Sequence, residues 1–154
     1  MTDTQQRNEF VANLQAELDA VKTFNKILQK EQRTLVNGNV EDLDYLASEK
    51  ERLIEQLTNL NEQRNQFLSS QGLLTDAGGM KKLLSTDDSY SESNKTWYEL
   101  LELVAITSQL NKTNGTIINT RLQHTQRSLT ALQCASGNIS LYGPKGQAFG
   151  MNNL

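Results

Sequence analysis

Few side chains in this chain of 154 residues are of the types that carry catalysis or hold a metal ion. The sequence has one histidine, His124, and one cysteine, Cys134. On one helix they would lie about 15 Å apart, too far for a nucleophile and its base or for two ligands of one metal. The segment 76–79, Asp-Ala-Gly-Gly, lacks the lysine and the following serine or threonine of a phosphate-binding loop. We therefore predict that the protein is not an enzyme and needs no cofactor and no metal.

The charged residues are numerous but do not form a face of one sign. The formal net charge is −3, and acidic and basic residues are interleaved along the chain, a pattern typical of solvated helix surfaces. Without a basic face, the chain is not expected to bind nucleic acid. No run of eighteen apolar residues is present, and residues 1–6 lack the basic and apolar regions of a signal peptide. We expect a cytoplasmic protein without membrane insertion, and a single cysteine agrees with a reducing compartment.

The elements that position these residues are predicted to be long helices, because the only proline lies at position 144 and proline breaks helix interiors. In the first predicted helix, residues 3–36, apolar side chains recur at steps of three and four and form a seam, a row of positions that faces a partner helix. Asn25 and Gln32 occupy two positions of this seam. Its apolar members are Val11, Leu14, Leu18, Val21, Leu28 and Leu35, with Phe10, Phe24 and Ile27 at one side.

The second predicted helix, residues 40–70, has the spacing of a coiled coil over about four heptads. In the break at residues 36–39, a glycine or asparagine is expected to end the first helix and Asn39 to cap the second. Lys50 and Arg64 lie on the second seam, where their aliphatic stems can cover apolar surface while their charges reach water. The two helices are predicted to form an antiparallel hairpin, which we expect to be the stable unit. The second seam is Leu43, Leu46, Lys50, Leu53, Leu57, Leu60, Arg64 and Phe67.

Residues 71–93 are predicted to form a linker with one short helix near 80–84, since glycine, serine and acidic residues dominate there. A third helix, 94–135, and an irregular tail, 136–154, follow. At about 1.5 Å per residue the third helix reaches roughly 60 Å and the second roughly 46 Å. Unless the linker offsets its start, the last turns of the third helix should extend past the hairpin, with apolar side chains uncovered for a partner. The third seam is Trp97, Leu101, Val104, Ser108, Asn111, Gly115, Ile118, Leu122, Thr125, Leu129 and Leu132.

These elements predict an all-α fold in one domain, residues 1–154: a long antiparallel, coiled-coil-like hairpin, a third long helix packed along it, and an irregular tail.

Gly115 lies inside the third helix, where glycine costs about 1 kcal/mol relative to alanine. Close helix packing, under which a methyl group at Gly115 would clash, is the favoured explanation. A tolerated defect and a hinge or groove for a partner backbone are the alternatives. Tyr142, at an exposed turn before Gly143 and Pro144, either folds back on the helices or anchors a partner.

Two groups of residues in the last third of the chain occur at characteristic spacings. The first group is Leu110-Asn111, Asn114-Gly115, Ile117-Ile118 and Leu122, with Thr125, Leu129 and Leu132, and the second is Tyr142-Gly143-Pro144 with Gly146. Together they resemble the FlgN family of flagellar export chaperones. Lys145 stands where that family more often has an acidic residue. Weaker correspondences in the hairpin are Glu31, Leu35, Asp42-Leu43, Leu46, Glu49-Lys50, Leu53, Leu57 and Arg64.

The resemblance implies an all-helical cytosolic chaperone for the two hook-filament junction proteins of the bacterial flagellum. Such a chaperone prevents premature assembly of these hook-associated proteins and delivers them to the type III export apparatus. By similarity, the cargo-binding residues are Asn111, Asn114, Ile118, Leu122, Leu129 and Leu132. Tyr142, Gly143 and Pro144 are expected to dock on the export gate. The alternative is a non-catalytic coiled-coil adaptor or scaffold. A monomer or weak homodimer that binds a flagellar cargo is expected for the chaperone, and a stable filament or high oligomer for the adaptor.

Overall fold

The computed structural model describes residues 2–135, and these residues form helices and turns without a β-strand. The predicted all-α fold class is confirmed. The helices are α1 (Asp3–Asn37), α2 (Leu43–Ser70), α3 (Ala77–Ser85) and α4 (Ser91–Ala135), with 3₁₀ turns at Val40–Asp42 and Asp88–Tyr90. The chain divides into two units between Asn111 and Lys112.

Both ends of α1 are defined by local hydrogen bonds. The hydroxyl of Thr2 accepts from the backbone N–H of Gln5 at 3.1 Å and so caps the first turn. At the other end Gly38 takes a left-handed conformation with a φ of 75°, and its N–H donates to the carbonyl of Thr34. The side chain of Asn39 makes no capping bond, and a 3₁₀ turn precedes α2. The prediction that Asn39 caps the second helix was therefore wrong, since the tight turn delays the α-helix to Leu43.

Helices α1 and α2 form an antiparallel hairpin. The side-chain amide of Asn13 donates to the carbonyl of Leu60 at 3.0 Å near the open end of the hairpin. Each of the eight predicted α2 seam positions is buried or half-buried, as a heptad repeat requires. Toward the turn, apolar residues of both helices form one cluster: Ala20, Ile27, Leu46 and Leu53, with Phe24, Leu57 and Leu60 packed against it.

The second apolar cluster lies at the open end of the hairpin and includes residues from all four helices. Within it the ring of Phe10 stacks on Phe67 at 4.7 Å between centroids and meets Tyr90 edge-on at 6.0 Å. Asp76 caps α3 by accepting from the N–H of Gly79 at 2.8 Å, which directs the apolar face of α3 into the core. The members are Phe10, Leu14, Leu18, Val21, Leu68, Met80, Leu83, Leu84, Tyr90, Trp97 and Leu100. The hairpin is thus not a self-contained unit, because this core needs α3 and α4.

Replacing Leu53 by alanine tests the cluster near the turn. Leu53 is 2% exposed, and truncation of a buried leucine leaves a cavity, so Leu53→Ala should lower the free energy of unfolding by about 2 to 4 kcal/mol. The neighbouring Ile54 is 51% exposed, and Ile54→Ala should change the free energy of unfolding by about 0.5 kcal/mol or less. Urea denaturation of both variants measures the difference. Equal losses in the two would contradict the assignment of the α2 seam.

Candidate functional site

The start of α4 is held by contacts with the first turns of α1. The guanidinium of Arg7 donates to the hydroxyl of Ser89 at 3.0 Å, lies 3.6 Å from the carboxylate of Asp87 and stands 5.2 Å from the centre of the Tyr90 ring. The backbone N–H of Ser89 donates to Asp87 and lowers the pKa of that carboxyl below its usual value. These contacts shape the 3₁₀ turn that leads into Ser91, three residues before the predicted helix start.

Arg64 connects α4 to both helices of the hairpin. Its Nε donates to the carboxylate of Glu17 at 2.7 Å, and the two side chains are only 14% and 6% exposed. The same guanidinium stands 4.9 Å from the centre of the Trp97 ring on α4, a distance at which a cation is attracted to an aromatic face. Arg64 also donates to Asn61 on its own helix. The expectation that the Arg64 charge reaches water was wrong, because a buried carboxylate and an aromatic ring receive it.

Lys50 repeats this arrangement nearer to the turn. Its ammonium donates to the carboxylate of Glu31 at 3.3 Å and to the side-chain oxygen of Asn111 on α4 at 3.2 Å. Between the two cations, the side-chain amide of Asn25 donates to the hydroxyl of Thr107 at 3.0 Å. Along α4 the contacts with the hairpin therefore change from apolar and aromatic side chains at its first turns to hydrogen bonds by Asn111.

The packed face of α4 is one residue away from the predicted seam. Leu100 and Thr107 are buried and Leu103 is half-buried, whereas the predicted Leu101 and Val104 are 42% and 44% exposed. Apolar residues occur in both rows, so spacing alone does not distinguish them. Trp97 belongs both to the predicted seam and to the observed packed face, and its ring lies against the guanidinium of Arg64. The polar Thr107 is accommodated because Asn25 meets it.

The six predicted cargo-binding residues occupy different environments on α4. Asn111 is exposed, with its side-chain oxygen bonded to Lys50, and Asn114 is 1% exposed. Among the apolar positions, Ile118 and Leu122 are each 42% exposed, Leu132 is 65% exposed and Leu129 is half-buried. These four apolar residues follow the three-and-four spacing that keeps side chains on one helix face. We call this row, Ile118, Leu122, Leu129 and Leu132, the α4 stripe.

Gly115 lies in the same part of α4, and its expected role is corrected by the structure. Apart from the adjoining residues and the nearby backbone of α4 itself, no atom of the described residues lies within 4 Å of the position that a Cβ at Gly115 would take. The expected methyl clash is therefore absent, and close helix packing does not explain this glycine. Tyr142, Gly143 and Pro144, predicted to dock on an export gate, lie outside the described residues.

The histidine and the cysteine of the sequence both lie on α4. His124 and Cys134 are both exposed, and within residues 2–135 no three His, Cys, Asp or Glu side chains are grouped as a metal site would require. None of the described helices is long and apolar enough to cross a bilayer. The α4 stripe is an exposed apolar row that could hold a partner, since such rows commonly form protein interfaces.

Comparison with known proteins gives a match at the level of the family. A family model described as FlgN protein matches residues 1–149, which is nearly the whole chain. No curated protein and no solved structure matches the chain significantly.

The Glu17–Arg64 pair can be tested by removing its cation. Arg64→Met leaves a buried carboxylate without its partner and should lower the free energy of unfolding by about 3 to 5 kcal/mol. The double change Glu17→Leu with Arg64→Met should recover most of that loss, because no charge then stays buried.

Arg52 provides the matched control, since it is 58% exposed and pairs with Glu49 on the same helix at 3.0 Å. Arg52→Met should change stability by no more than about 1 kcal/mol. Urea denaturation of the three variants and the parent protein measures these differences. A loss for Arg64→Met no larger than that for Arg52→Met would show that burial of the Glu17–Arg64 pair does not contribute to the stability of the fold.

Gly115→Ala should raise stability by about 1 kcal/mol, because alanine favours the helix and its methyl group meets open space. Ala105, an exposed residue on the same helix, gives the reverse exchange, and Ala105→Gly should lower stability by a similar amount. Thermal melts followed by circular dichroism measure both changes. A lower melting temperature for Gly115→Ala would restore the packing explanation.

Proposed function

We propose that this chain, which belongs to the FlgN family of flagellar export chaperones, binds the hook-filament junction proteins of the flagellum in the cytoplasm. It holds these hook-associated proteins unassembled and delivers them to the type III export apparatus. The family is one of chaperones that bind flagellar proteins, and the choice of junction proteins as cargo follows the resemblance in the last third of the sequence. The proposed activity is binding alone, without catalysis or a cofactor.

The α4 stripe is the observation that supports this proposal. Ile118, Leu122 and Leu132 expose large apolar side chains on a single helix, with the spacing by which one helix recognises another. Proteins that assemble into a filament bury apolar helical segments against their neighbours. A chaperone that covers such a segment with its own apolar row competes with assembly, and this competition needs no energy source.

The two asparagines are proposed to add polar contacts with cargo. Asn111 is exposed and its side-chain oxygen accepts from Lys50, so a cargo backbone group could replace or extend this hydrogen bond. Asn114 is 1% exposed, so cargo would reach its side chain only after a local rearrangement. The apolar residues are therefore assigned most of the binding energy and the asparagines the orientation of the cargo.

The tail residues Tyr142, Gly143 and Pro144 are proposed to contact the export gate. This assignment comes from the sequence: a proline preceded by glycine prevents helix formation there, and a tyrosine beside it is an aromatic group suited to a partner pocket. Binding the gate through the tail would leave α4 available for cargo. Holding and delivery would then depend on separate segments of the chain.

The alternative function is a coiled-coil adaptor that self-associates through the α4 stripe, since the same spacing also suits pairing between identical helices. Size-exclusion chromatography with light scattering distinguishes the two. A monomer or weak dimer that forms a defined complex with a junction protein supports the chaperone. A stable filament or high oligomer that does not bind these proteins supports the adaptor.

Polar substitution of the α4 stripe should weaken cargo binding without unfolding the protein. Replacing Ile118, Leu122 and Leu132 together by glutamine removes apolar contact area and should raise the Kd for a purified junction protein by roughly tenfold or more, which corresponds to about 1.4 kcal/mol. Because these side chains are exposed, the thermal melt should change little.

The matched control replaces three exposed threonines of the same helix segment, Thr116, Thr120 and Thr130, by glutamine. Calorimetric titration of both triple variants against the same cargo measures the difference. Normal cargo binding by the stripe variant, or equal weakening in the control, would exclude the α4 stripe as the cargo site.

Tyr142→Ala should separate delivery from holding. We expect its cargo Kd to stay within about threefold of the parent value, or about 0.7 kcal/mol, while secretion of the junction proteins falls, because the tail is assigned to the export gate. Phe149→Ala, a second aromatic truncation in the tail, is the control and should leave secretion nearly normal. Loss of cargo binding in Tyr142→Ala would contradict this division of roles.

A further inference from the structure

We propose that the turn end of the hairpin is a docking site for an acidic peptide segment of a partner protein. An open cavity of about 400 Å³ lies there between the end of α1 and the start of α2. We call it the hairpin-tip groove. Its lining includes Lys30, Arg33, Asn37, Asp42, Tyr45 and Leu46. The inference is independent of the proposed cargo site, which lies on residues of α4.

The groove lies beside a row of cations that have no anionic partner. Lys26, Lys30 and Arg33 are exposed and follow one another on α1 at steps of four and three, a spacing that places them on one face. None of the ion pairs within residues 2–135 includes them. Lys22, one turn earlier, differs because it pairs with Glu99 at 3.5 Å. Asp42 is the one carboxylate in the groove lining, so positive charge exceeds negative charge at the α1 side.

The groove also offers an apolar contact and polar groups next to these cations. Tyr45 is 66% exposed, and it lines the cavity together with the buried Leu46. The guanidinium of arginine can bind a carboxylate through two parallel hydrogen bonds, and a lysine nearby adds a further positive charge. A cavity of this size accepts one or two side chains. The complementary ligand is a peptide in which a Glu or Asp that reaches Arg33 is followed by an apolar side chain that covers Tyr45.

Charge favours an acidic peptide in the groove over three other ligands: the chain's own C-terminal residues, an anionic membrane and nucleic acid. The chain's own residues 136–154 contain Lys145 and no Asp or Glu side chain, so their side chains offer the wrong sign. An anionic membrane surface would meet Glu41 and Asp44, both exposed at the start of α2, as well as the basic row. Nucleic acid would meet the same repulsion. A peptide can place its carboxylates against α1 alone, which favours the peptide over these extended anionic surfaces.

Fluorescence anisotropy with two labelled twelve-residue peptides tests the inference on the full chain. One peptide alternates glutamate and leucine, and the other alternates glutamine and leucine. The acidic peptide should bind, more weakly as salt is raised, and the neutral one should bind at least tenfold more weakly. Lys30→Glu with Arg33→Glu should reduce binding of the acidic peptide at least tenfold. Arg33→Gln and Tyr45→Ala, each a milder change, should reduce it at least threefold.

The control variant carries Lys81→Glu with Lys82→Glu, the same change of net charge at two exposed residues of α3 away from the groove. Its affinity for the acidic peptide should stay within about threefold of the parent, a difference of about 0.7 kcal/mol. Equal weakening in both double variants, or equal binding of the neutral peptide, would overturn the proposal. It would also fail if the groove variant changed only the binding of phosphatidylserine vesicles, or only self-association in light scattering, while the peptide did not bind.

Discussion

Two ion pairs buried between α1 and α2 set the register on which the other helix contacts depend. Glu17 pairs with Arg64 and Glu31 pairs with Lys50, and on each helix the two members lie two heptads apart. A hairpin that slipped by one heptad would remove both carboxylates from their cations while keeping them largely shielded from water. Breaking a buried pair such as Glu17–Arg64 costs about 3 to 5 kcal/mol, and the more exposed Glu31–Lys50 pair adds less. Apolar seam residues alone would tolerate such a slip. The pairs therefore specify one alignment of two otherwise repetitive helices.

The same cations carry this register to the third long helix. Arg64 lies against Trp97, and Lys50 donates to Asn111, so α4 contacts the charged groups of the hairpin at two levels. Between them Asn25 bonds to Thr107. Each of these contacts is made by a charged or polar residue, Arg64, Lys50 or Asn25, at a position of an otherwise apolar seam. Polar residues at these positions make the three helices mutually dependent, since each polar group is satisfied only when its partners are in place.

The parts of the fold that were predictable from the sequence are those governed by local periodicity. Each predicted α2 seam position is buried or half-buried because one row of α2 carries six of its nine large apolar residues. The buried Leu68 lies outside that row and was not predicted. The α4 seam failed beyond Trp97 because two adjacent rows both begin with apolar residues, Leu100 and Leu103 in one and Leu101 and Val104 in the other. The packed row continues with Leu110, whereas the predicted row continues with Ser108 and Asn111. Arg64 was placed on the correct face but with its charge in water, since Glu17 lies 47 residues away in sequence.

The candidate site was predictable to a similar extent. Sequence spacing identifies Ile118, Leu122 and Leu132 as one row, and each is at least 42% exposed. It could not foresee that Asn111 accepts a hydrogen bond from Lys50, because that contact joins distant segments. For Gly115 the sequence predicts the cost of a glycine inside a helix. It does not predict the open space around this position, which depends on how the chain folds.

The two apolar clusters close at different stages of protein synthesis. The cluster around Leu53 uses residues 20 to 60, so a growing chain has all its members once α2 has left the ribosome. The cluster around Phe10 also needs Met80, Trp97 and Leu100, and until these emerge the N-terminal aromatic ring has no complete core to enter. In a nascent chain, apolar packing is thus expected to form first near the hairpin turn and later at the open end. The first turns of α1 are synthesised first but are among the last to pack into a core.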